Sequence, residues 1–209
     1  MLKEDIKICF YKCKSYELLR VGDVEFQLFY IQKIDECRSF FDLQIACIYI
    51  LSLPHGLATV LSNIYSRPRK TKLSIKIFSH FILVIFTAFS LNESQLMEKI
   101  ELLSYFEDDA ISDKIKGLKV GDIVYNVSLG FCCKNETPEE NVHNNCFIFE
   151  FENIPFLEQS RIKSTLDIER FSFYKEGAEY LISPFTQFLI SNIEINSNGK
   201  YHITLSATK

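Results

Sequence analysis

Four potential metal ligands lie close together in the second half of the chain, at Cys132, Cys133, His143 and Cys146. Thiolate and imidazole groups are the ligands that a structural zinc ion prefers. Adjacent residues of a strand point to opposite faces of a sheet, however, and Cys132-Cys133 lacks the two-residue spacer of a zinc knuckle. We therefore expect no metal site here, and we expect Cys146 to be a buried residue of a strand.

Other short motifs that carry a known chemistry are absent from the sequence. It contains no Gly-rich phosphate loop, no nucleophile elbow of the G-x-S-x-G type, no H-E-x-x-H helix and no dinucleotide-binding fingerprint. The four histidines are scattered along the chain, at positions 55, 80, 143 and 202. Motif searches of this kind therefore assign no function.

One segment near the C-terminal end carries a family resemblance. Residues 179–185, EYLISPF, resemble the part of mono-ADP-ribosyltransferases that begins at the second Glu of their Glu-x-Glu motif. In that family the catalytic Glu is followed by an apolar run, a Pro-containing turn and a Phe, and here the match has no gap. The flanking segments also fit in order, from a Gly-containing strand at 121–131 and the strand CFIFEF to a loop ending at Phe173. The resemblance covers about residues 99–209 and is to the arginine-specific Glu-x-Glu type, with degenerate motifs.

The resemblance implies a carboxylate chemistry that uses NAD as substrate. Transfer of ADP-ribose breaks the bond between nicotinamide and ribose through an oxocarbenium-like transition state, which a nearby carboxylate stabilises. Glu179 takes this catalytic position. Arginine-modifying members carry a further Glu two residues earlier, where this chain has Gly177. Glu176 lies three residues before Glu179 and faces the other side of a regular strand, although a bulge could bring it round. A single-Glu site is compatible with NAD hydrolysis or with another acceptor.

A second family motif supplies hydroxyl groups at the NAD site, as Ser-x-Ser or Ser-Thr-Ser shortly after an aromatic residue. The corresponding stretch here runs from Ser128 to Cys133. If Phe131 is the aromatic residue, Cys132 or Cys133 stands where Ser belongs, and a thiol is the poorer hydrogen-bond donor. A register shifted upstream offers Ser128 instead. The resemblance makes these four the candidate NAD-binding residues.

The Arg that holds the NAD pyrophosphate in this family has no counterpart. The family places it after an aromatic residue in a strand that corresponds to residues 101–106, and with Tyr105 as that aromatic, Phe106 takes the Arg position. A charge-assisted phosphate contact contributes about 1.5–3 kcal/mol. Its loss predicts an NAD affinity that is lower by roughly tenfold or more. Two hypotheses follow: an NAD-consuming transferase with a protein acceptor, or a catalytically inactive binding module of the same fold.

The pattern of apolar residues that predicts the secondary structure around these positions changes near residue 95. Residues 1–95 show apolar stripes of helical spacing, interrupted by Pro54 and Gly56. Residues 96–209 are predicted to mix short helices and strands. We expect an α+β fold, in which a helical N-terminal region packs on a split, mostly antiparallel β-sheet core of ADP-ribosyltransferase type.

The pattern within residues 96–209 predicts individual elements. Residues 94–105 are predicted to form an amphipathic helix or a helix–strand boundary, residues 112–118 a short helix, and residues 134–145 a polar loop or a loop–helix segment. Strands are predicted at 121–131, 146–151, 171–174 and 201–206, and on either side of a turn at Pro184 within 179–195. Asn198-Gly199 predicts a type I′ hairpin turn.

The segment Ile77–Leu91 is the most apolar stretch and follows a basic cluster, as a signal-anchor helix would. The stretch without charged residues spans only ~24 Å at about 1.5 Å per residue, which is short of the ~30 Å hydrocarbon core. We expect a buried core helix, with a membrane-anchored protein as the weaker alternative.

The composition of the chain narrows the classes of protein to which it can belong. The chain has 209 residues, a net charge of −4 and 14% aromatic residues, so it is long and apolar enough to fold and lacks the basic balance of a nucleic-acid-binding module. Seven cysteines cannot all pair within one chain. The first residues show no apolar core of signal-peptide type, so a reducing, cytoplasmic location is expected.

Overall fold

The computed structural model describes residues 1–15, 24–53, 57, 61, 72–91, 100–106, 113–126, 129–134, 144–151, 165–173 and 180–208. The helices in this part of the chain are α1 (Leu2–Ser15), α2 (Val24–Glu36), α3 (Phe40–Ser52), α4 (Lys72–Leu91) and the short α5 (Asp113–Lys116). The strands are β1 (Ile100–Phe106), β2 (Ile123–Tyr125), β3 (Gly130–Lys134), β4 (Asn145–Phe151), β5 (Thr165–Asp167), β6 (Tyr180–Ile182), β7 (Gln187–Ile195) and β8 (Tyr201–Ala207).

The described strands form one sheet in the order β2-β7-β8-β4-β1-β3-β6-β5. All neighbours are antiparallel except β4 and β8, which run parallel. The sheet divides at β3, because Gly130, Phe131 and Cys132 pair with β6 whereas Cys133 and Lys134 pair with β1. The predicted α+β fold, with helices packed on a split and mostly antiparallel sheet, is confirmed.

Two hydrophobic clusters cover opposite faces of the smaller part of the sheet, β3, β6 and β5. Successive residues of a strand point to opposite faces, and β6 shows this directly. Leu181 is buried in the cluster formed by the helices, while Tyr180 and Ile182 are buried in the cluster that also holds Leu102 and Phe188 of the larger part of the sheet. The smaller part therefore lies between the helices and the rest of the sheet.

The apolar segment Ile77–Leu91 belongs to α4, and its apolar residues pack against α1 and α3. Its fully buried side chains are Phe78, Phe81, Val84, Ile85 and Phe89. The predicted core helix is confirmed. Among the described residues, no helix combines the length and the hydropathy that a membrane crossing requires.

The predicted strand 121–131 is wrong, because two strands, β2 and β3, occupy this range. The residue after β2 is Asn126, whose backbone N–H donates to the carbonyl of Thr186 at 2.9 Å and whose side-chain amide donates to the carbonyl of Ser183 at 3.2 Å. Bonds to residues about sixty positions away thus end β2 at Tyr125. The helical alternative for 94–105 is also wrong over residues 100–105, which lie in β1.

The predicted strand at 171–174 is a turn over its described residues. The N–H groups of Phe171 and Ser172 both donate to the carbonyl of Ile168, at 2.8 Å each.

The predicted β7–β8 hairpin is confirmed, but its turn is not type I′. That turn needs a positive φ at two central residues, and here only Gly199 has one, at +74°, while the Asn196 side chain accepts from Asn198 N–H and Lys200 N–H.

Candidate active site

The catalytic candidates Glu179 and Glu176 lie outside the described residues, as do Gly177 and Ser128. The described residues that follow them directly in the chain are Tyr180, after Glu179, and Leu129, after Ser128. The segment 174–179 is bounded by Phe173 on one side and by Tyr180, the first residue of β6, on the other. The roles of Glu179, Glu176 and Ser128 stay predictions.

The chain beyond Glu179 lies directly beside the strand that carries the second candidate motif. Tyr180 pairs with Cys132, Leu181 with Phe131 and Ile182 with Gly130, in antiparallel register. The two motifs, far apart in sequence, therefore approach each other on neighbouring strands β3 and β6. Such an arrangement can place a carboxylate next to residues that contact the same small ligand.

The three described NAD-binding candidates of β3 point to different sides. The Cys132 side chain is 2% exposed and packs in the cluster between the two parts of the sheet, whereas Phe131 packs against the helical cluster. Cys133 is half-buried, and its thiol donates to the Leu103 carbonyl, with 3.7 Å between sulfur and oxygen. Of the three, Cys132 is the one enclosed in the core.

Burial keeps the neighbouring thiols protonated. It raises the pKa of Cys132 well above that of a free thiol, and the nearby Cys133 raises it further. The same two causes raise the pKa of Cys146 to about 11. Since the thiolate is the nucleophile and the metal-binding form, these two groups are unreactive near neutral pH. No group of three potential ligands in the described part of the chain could hold a metal ion, and His143 lies outside that part.

The end of β1, where the family carries its phosphate-binding Arg, is apolar. The Phe106 ring packs on Phe147 of β4, with 4.7 Å between the ring centroids. Tyr105 beside it is exposed. None of the residues of β1 is a cation. With Tyr105 taken as the aromatic residue of the family motif, an aromatic ring pair thus lies at the position where the resemblance places an Arg.

A cation not singled out by the sequence lies at the end of β3. Lys134, expected at the start of a polar loop, is the last residue of this strand and pairs with Leu102 of β1. Its ammonium nitrogen lies 5.7 Å from the centroid of the Tyr180 ring. The sequence could have revealed this position, because Lys134 lies two residues after Cys132 and residues two apart in a strand share one face of the sheet.

The turn after β6 is fixed from two directions. Phe185 has a φ of +66° and an exposed ring, and its N–H donates to the carbonyl of Asn126. The hydroxyl of Thr186 donates to the carbonyl of Ser183 at 2.8 Å. Asn126, a second residue missed by sequence reasoning, therefore joins the end of β2 to the end of β6.

The segment before residue 174 is held by α3. The N–H of Phe173 donates to the hydroxyl of Ser52 at 2.8 Å. The Phe173 ring packs on Tyr49, with centroids 6.0 Å apart, and the Phe171 ring packs on Phe41, with centroids 6.4 Å apart. Tyr49 and Phe171 also line an open cavity of about 470 Å³ between α2, α3 and this turn. Residues 174–179 thus connect a turn anchored on a helix to a strand anchored on β3.

Comparisons of sequence give no match, either with models of protein families or with curated proteins. Comparison of structures gives many. The Clostridium limosum C3 exoenzyme aligns with a TM-score of 0.58 at 14% identity, covering 96% of this chain and 95% of that one. An ADP-ribosyltransferase from Clostridium botulinum aligns with a TM-score of 0.60 at 11% identity, covering 88% of this chain and 94% of that one.

A third similar structure contains a ligand. Exoenzyme S from Pseudomonas aeruginosa, in complex with human 14-3-3 protein beta and bound to carba-NAD, aligns with a TM-score of 0.58 at 12% identity. The alignment covers 100% of this chain and 90% of that one. Identities this low establish architecture alone. The chain has the fold of the ADP-ribosyltransferases.

Proposed function

We propose that the chain is an NAD-consuming, ADP-ribosyltransferase-like protein with Glu179 as its catalytic carboxylate. The observation that carries this proposal is the placement of Tyr180. It begins β6 immediately after Glu179 and pairs with Cys132, so the two candidate motifs lie on adjacent strands of a sheet with this fold. The ungapped run from Glu179 to Phe185 supports the same assignment.

In the proposed reaction, the bond between C1′ of the nicotinamide ribose and the pyridinium nitrogen breaks. Nicotinamide leaves as a neutral molecule with the bonding electron pair, and Glu179 stabilises the positive charge that develops on the ribose. A nucleophilic atom of a protein side chain, or of water, forms the new bond to C1′ and releases its proton. Because Gly177 replaces the first Glu of the arginine-specific motif, water or a different side chain is the favoured acceptor over arginine.

An inactive binding module of the same fold is the second candidate function. The observation in its favour is the contact between Phe106 and Phe147, which fills the end of β1 with apolar rings. Without a guanidinium there, the diphosphate of NAD loses a two-pronged partner. Such a protein would use its surface to bind a partner rather than to transfer ADP-ribose.

Calorimetric titration with NAD, followed by measurement of nicotinamide release, separates these functions. We expect the wild-type protein to bind NAD and to release nicotinamide, and Glu179→Gln to lower the release rate by about a hundredfold or more, as loss of a charge-stabilising group does. Glu176→Gln is the matched control, and it should retain release if one carboxylate suffices.

Each of the other outcomes contradicts a stated part of the proposal. Release by Glu179→Gln at the wild-type rate would remove Glu179 from the catalytic role. NAD binding without any release would favour the inactive module. Absence of NAD binding at millimolar concentration would mean that the fold has lost this ligand.

A further inference from the structure

The strand β2 lies at one edge of the sheet and, among the described strands, pairs only with β7. An edge strand presents a row of backbone N–H and C=O groups, and such a row is a template for an added strand. At the other edge, Thr165 and Leu166 of β5 are buried. The edge formed by β2 is therefore the one to consider as a binding surface.

The hydrogen bonds at the two ends of β2 show which backbone groups point outward. The carbonyl of Asp122 accepts from β7, and the N–H of Asn126 donates to the residue just before β7, at 2.9 Å each. In an antiparallel pair, residues two apart direct their backbone groups to the same side. Val124 therefore bonds towards β7 as well. The N–H and C=O groups of Ile123 and Tyr125 point to the outer edge.

The side chains of the same two residues form an apolar surface beside this edge. Ile123 is 55% exposed and Tyr125 is 58% exposed. They share one face of the sheet, whereas Val124 packs against the hydrophobic cluster on the other face. Leu189 of β7 lies opposite Ile123 and is also exposed. A strand added here would gain apolar contacts in addition to backbone hydrogen bonds.

A β-bulge limits the length of the edge. Gly121 N–H donates to the Ile190 carbonyl, and Ile190 N–H donates to the Asp122 carbonyl, at 2.9 Å each. Two residues thus oppose one residue of β7, with a glycine of φ +95° in the first position. The regular edge is therefore confined to the three residues of β2. A short segment fits this edge better than a long strand of another sheet does.

The segment that leads into β2 carries exposed cations. Lys116 and Lys119 are exposed, and neither ammonium forms an ion pair within the described parts of the chain. Lys119 N–H donates to the Asp122 carboxylate at 2.8 Å, and Asp122 N–H donates to the Lys119 carbonyl at 3.0 Å, which holds Lys119 at the start of β2. Residues 115–126 thus carry two ammoniums and one carboxylate, although the whole chain has a net charge of −4. This surplus attracts an acidic segment and repels a basic one.

We propose that the edge of β2 binds a short, extended, acidic segment of a partner protein, which joins the sheet as an added strand. A second copy of this chain would bring the same surplus of positive charge at its own β2, so pairing between two copies is disfavoured. The inference goes beyond the proposed function and does not depend on it, because four strands separate β2 from the strands β3 and β6 that carry the candidate motifs.

Three capped hexapeptides, with valine at alternate positions and Glu, Gln or Lys between the valines, are the probes for this site. Binding is followed by NMR titration of the amide signals of Ile123 and Tyr125. We expect the Glu peptide to bind most tightly and to shift both signals. The Gln peptide should bind roughly two- to fivefold more weakly, because exposed charge pairs contribute little, and the Lys peptide more weakly still.

A modified Glu peptide tests strand addition on the unmodified protein. N-methylation of its four central residues keeps the side chains and their charge but removes the backbone donors on both edges of the peptide. We expect its binding to be weaker by about tenfold or more. Equal binding of the two Glu peptides would refute strand addition, whether or not any variant of the protein folds.

Variants of the protein separate the backbone contribution from that of the side chains. Tyr125→Pro removes an outward N–H without losing a bond to β7, and proline is tolerated on edge strands. It should weaken binding of the Glu peptide by about fivefold or more. Tyr125→Thr keeps the N–H and should bind more tightly than Tyr125→Pro. Replacing both Lys116 and Lys119 by Gln should make the affinities for the Glu and Gln peptides equal.

Four other outcomes would overturn the proposal. Absence of binding of the Glu peptide at millimolar concentration would mean that the edge is not a peptide site. Wild-type affinity in a folded Tyr125→Pro would place the peptide elsewhere. Equal affinity of the wild-type protein for the Glu and Lys peptides would refute an acidic partner. A dimer seen in sedimentation, and lost in Tyr125→Pro, would make a second copy of the chain the occupant.

Discussion

Phe185 is the one non-glycine residue with a positive φ, +66°, in the described part of the chain. The left-handed region costs an L-residue roughly 1–2 kcal/mol, and for a bulky aromatic residue it is an outlier. Phe185 N–H donates to the Asn126 carbonyl, and Pro184 and Phe185 occupy the two central positions of a turn closed by Thr186 N–H on the Ser183 carbonyl, in which the second position needs a positive φ. The strain is therefore maintained by the turn that follows β6.

Replacing Phe185 by Asn should stabilise the protein. Asn adopts the left-handed region readily, and the Phe185 ring is 60% exposed, so little apolar burial is lost. We expect the free energy of unfolding to rise by about 0.5–1 kcal/mol, measured by chemical denaturation. Val120→Asn, at a similarly exposed residue without a positive φ, should bring no gain. A loss of stability in Phe185→Asn would show that the ring contributes more than the strain costs.

At the scale of elements, the turn formed by Phe171–Phe173 depends on the end of α3. The Ser52 hydroxyl accepts from Phe173 N–H and donates to the Tyr49 carbonyl, each at 2.8 Å. Ser52 is buried, so removing its oxygen leaves a donor without its partner. Beside the ring contacts of Tyr49 and Phe41, this hydrogen bond links the helical region to the segment that leads into the candidate catalytic position.

Ser52→Ala should loosen this turn while leaving the sheet intact. We expect a stability loss of about 1–3 kcal/mol and faster hydrogen exchange at the Phe173 amide, which loses its acceptor. Ser52→Thr keeps the hydroxyl and should restore slow exchange. Unchanged exchange at Phe173 in Ser52→Ala would mean that the aromatic contacts with Tyr49 and Phe41 hold the turn without the hydrogen bond.

Elements with strong local signals could be predicted from the sequence. The strand at 146–151, and the two strands around Pro184, follow from apolar residues bounded by turn residues. The end of β2 could not be predicted, because it depends on bonds from Asn126 to residues that are distant in sequence. The turn at Phe171–Phe173 likewise depends on contacts with α3.

In the candidate site, too, local patterns could be predicted from the sequence, whereas contacts between residues distant in sequence could not. The resemblance that begins at Glu179 is a local pattern, so the sequence could reveal it, and the confirmed fold agrees with it. The position of Lys134 over Tyr180 depends on the register between β3 and β6, which no local pattern encodes. The hairpin turn at Gly199 is intermediate, since its place was predictable but its type depends on the Asn196 side chain.

At the scale of the whole molecule, one hydrophobic cluster joins the helices to the smaller part of the sheet. It contains buried residues of α1 to α4 together with Leu129, Leu166, Ile168 and Leu181. These four strand and turn residues come from sequence beyond residue 95. The predicted boundary near that residue stays a prediction, and the cluster gives it a direct test.

Leu181→Ala should destabilise the helices and the sheet together. Leu181 is fully buried in the shared cluster, so its truncation should cost about 2–5 kcal/mol. If this cluster makes one cooperative unit, thermal unfolding followed by hydrogen exchange should show α3, α4 and β8 losing protection in a single transition, shifted to lower temperature. Leu83→Ala, at an exposed residue of α4, should shift the midpoint little. Helices that keep their protection in Leu181→Ala while β8 loses it would instead establish residues 1–95 as an independently stable unit.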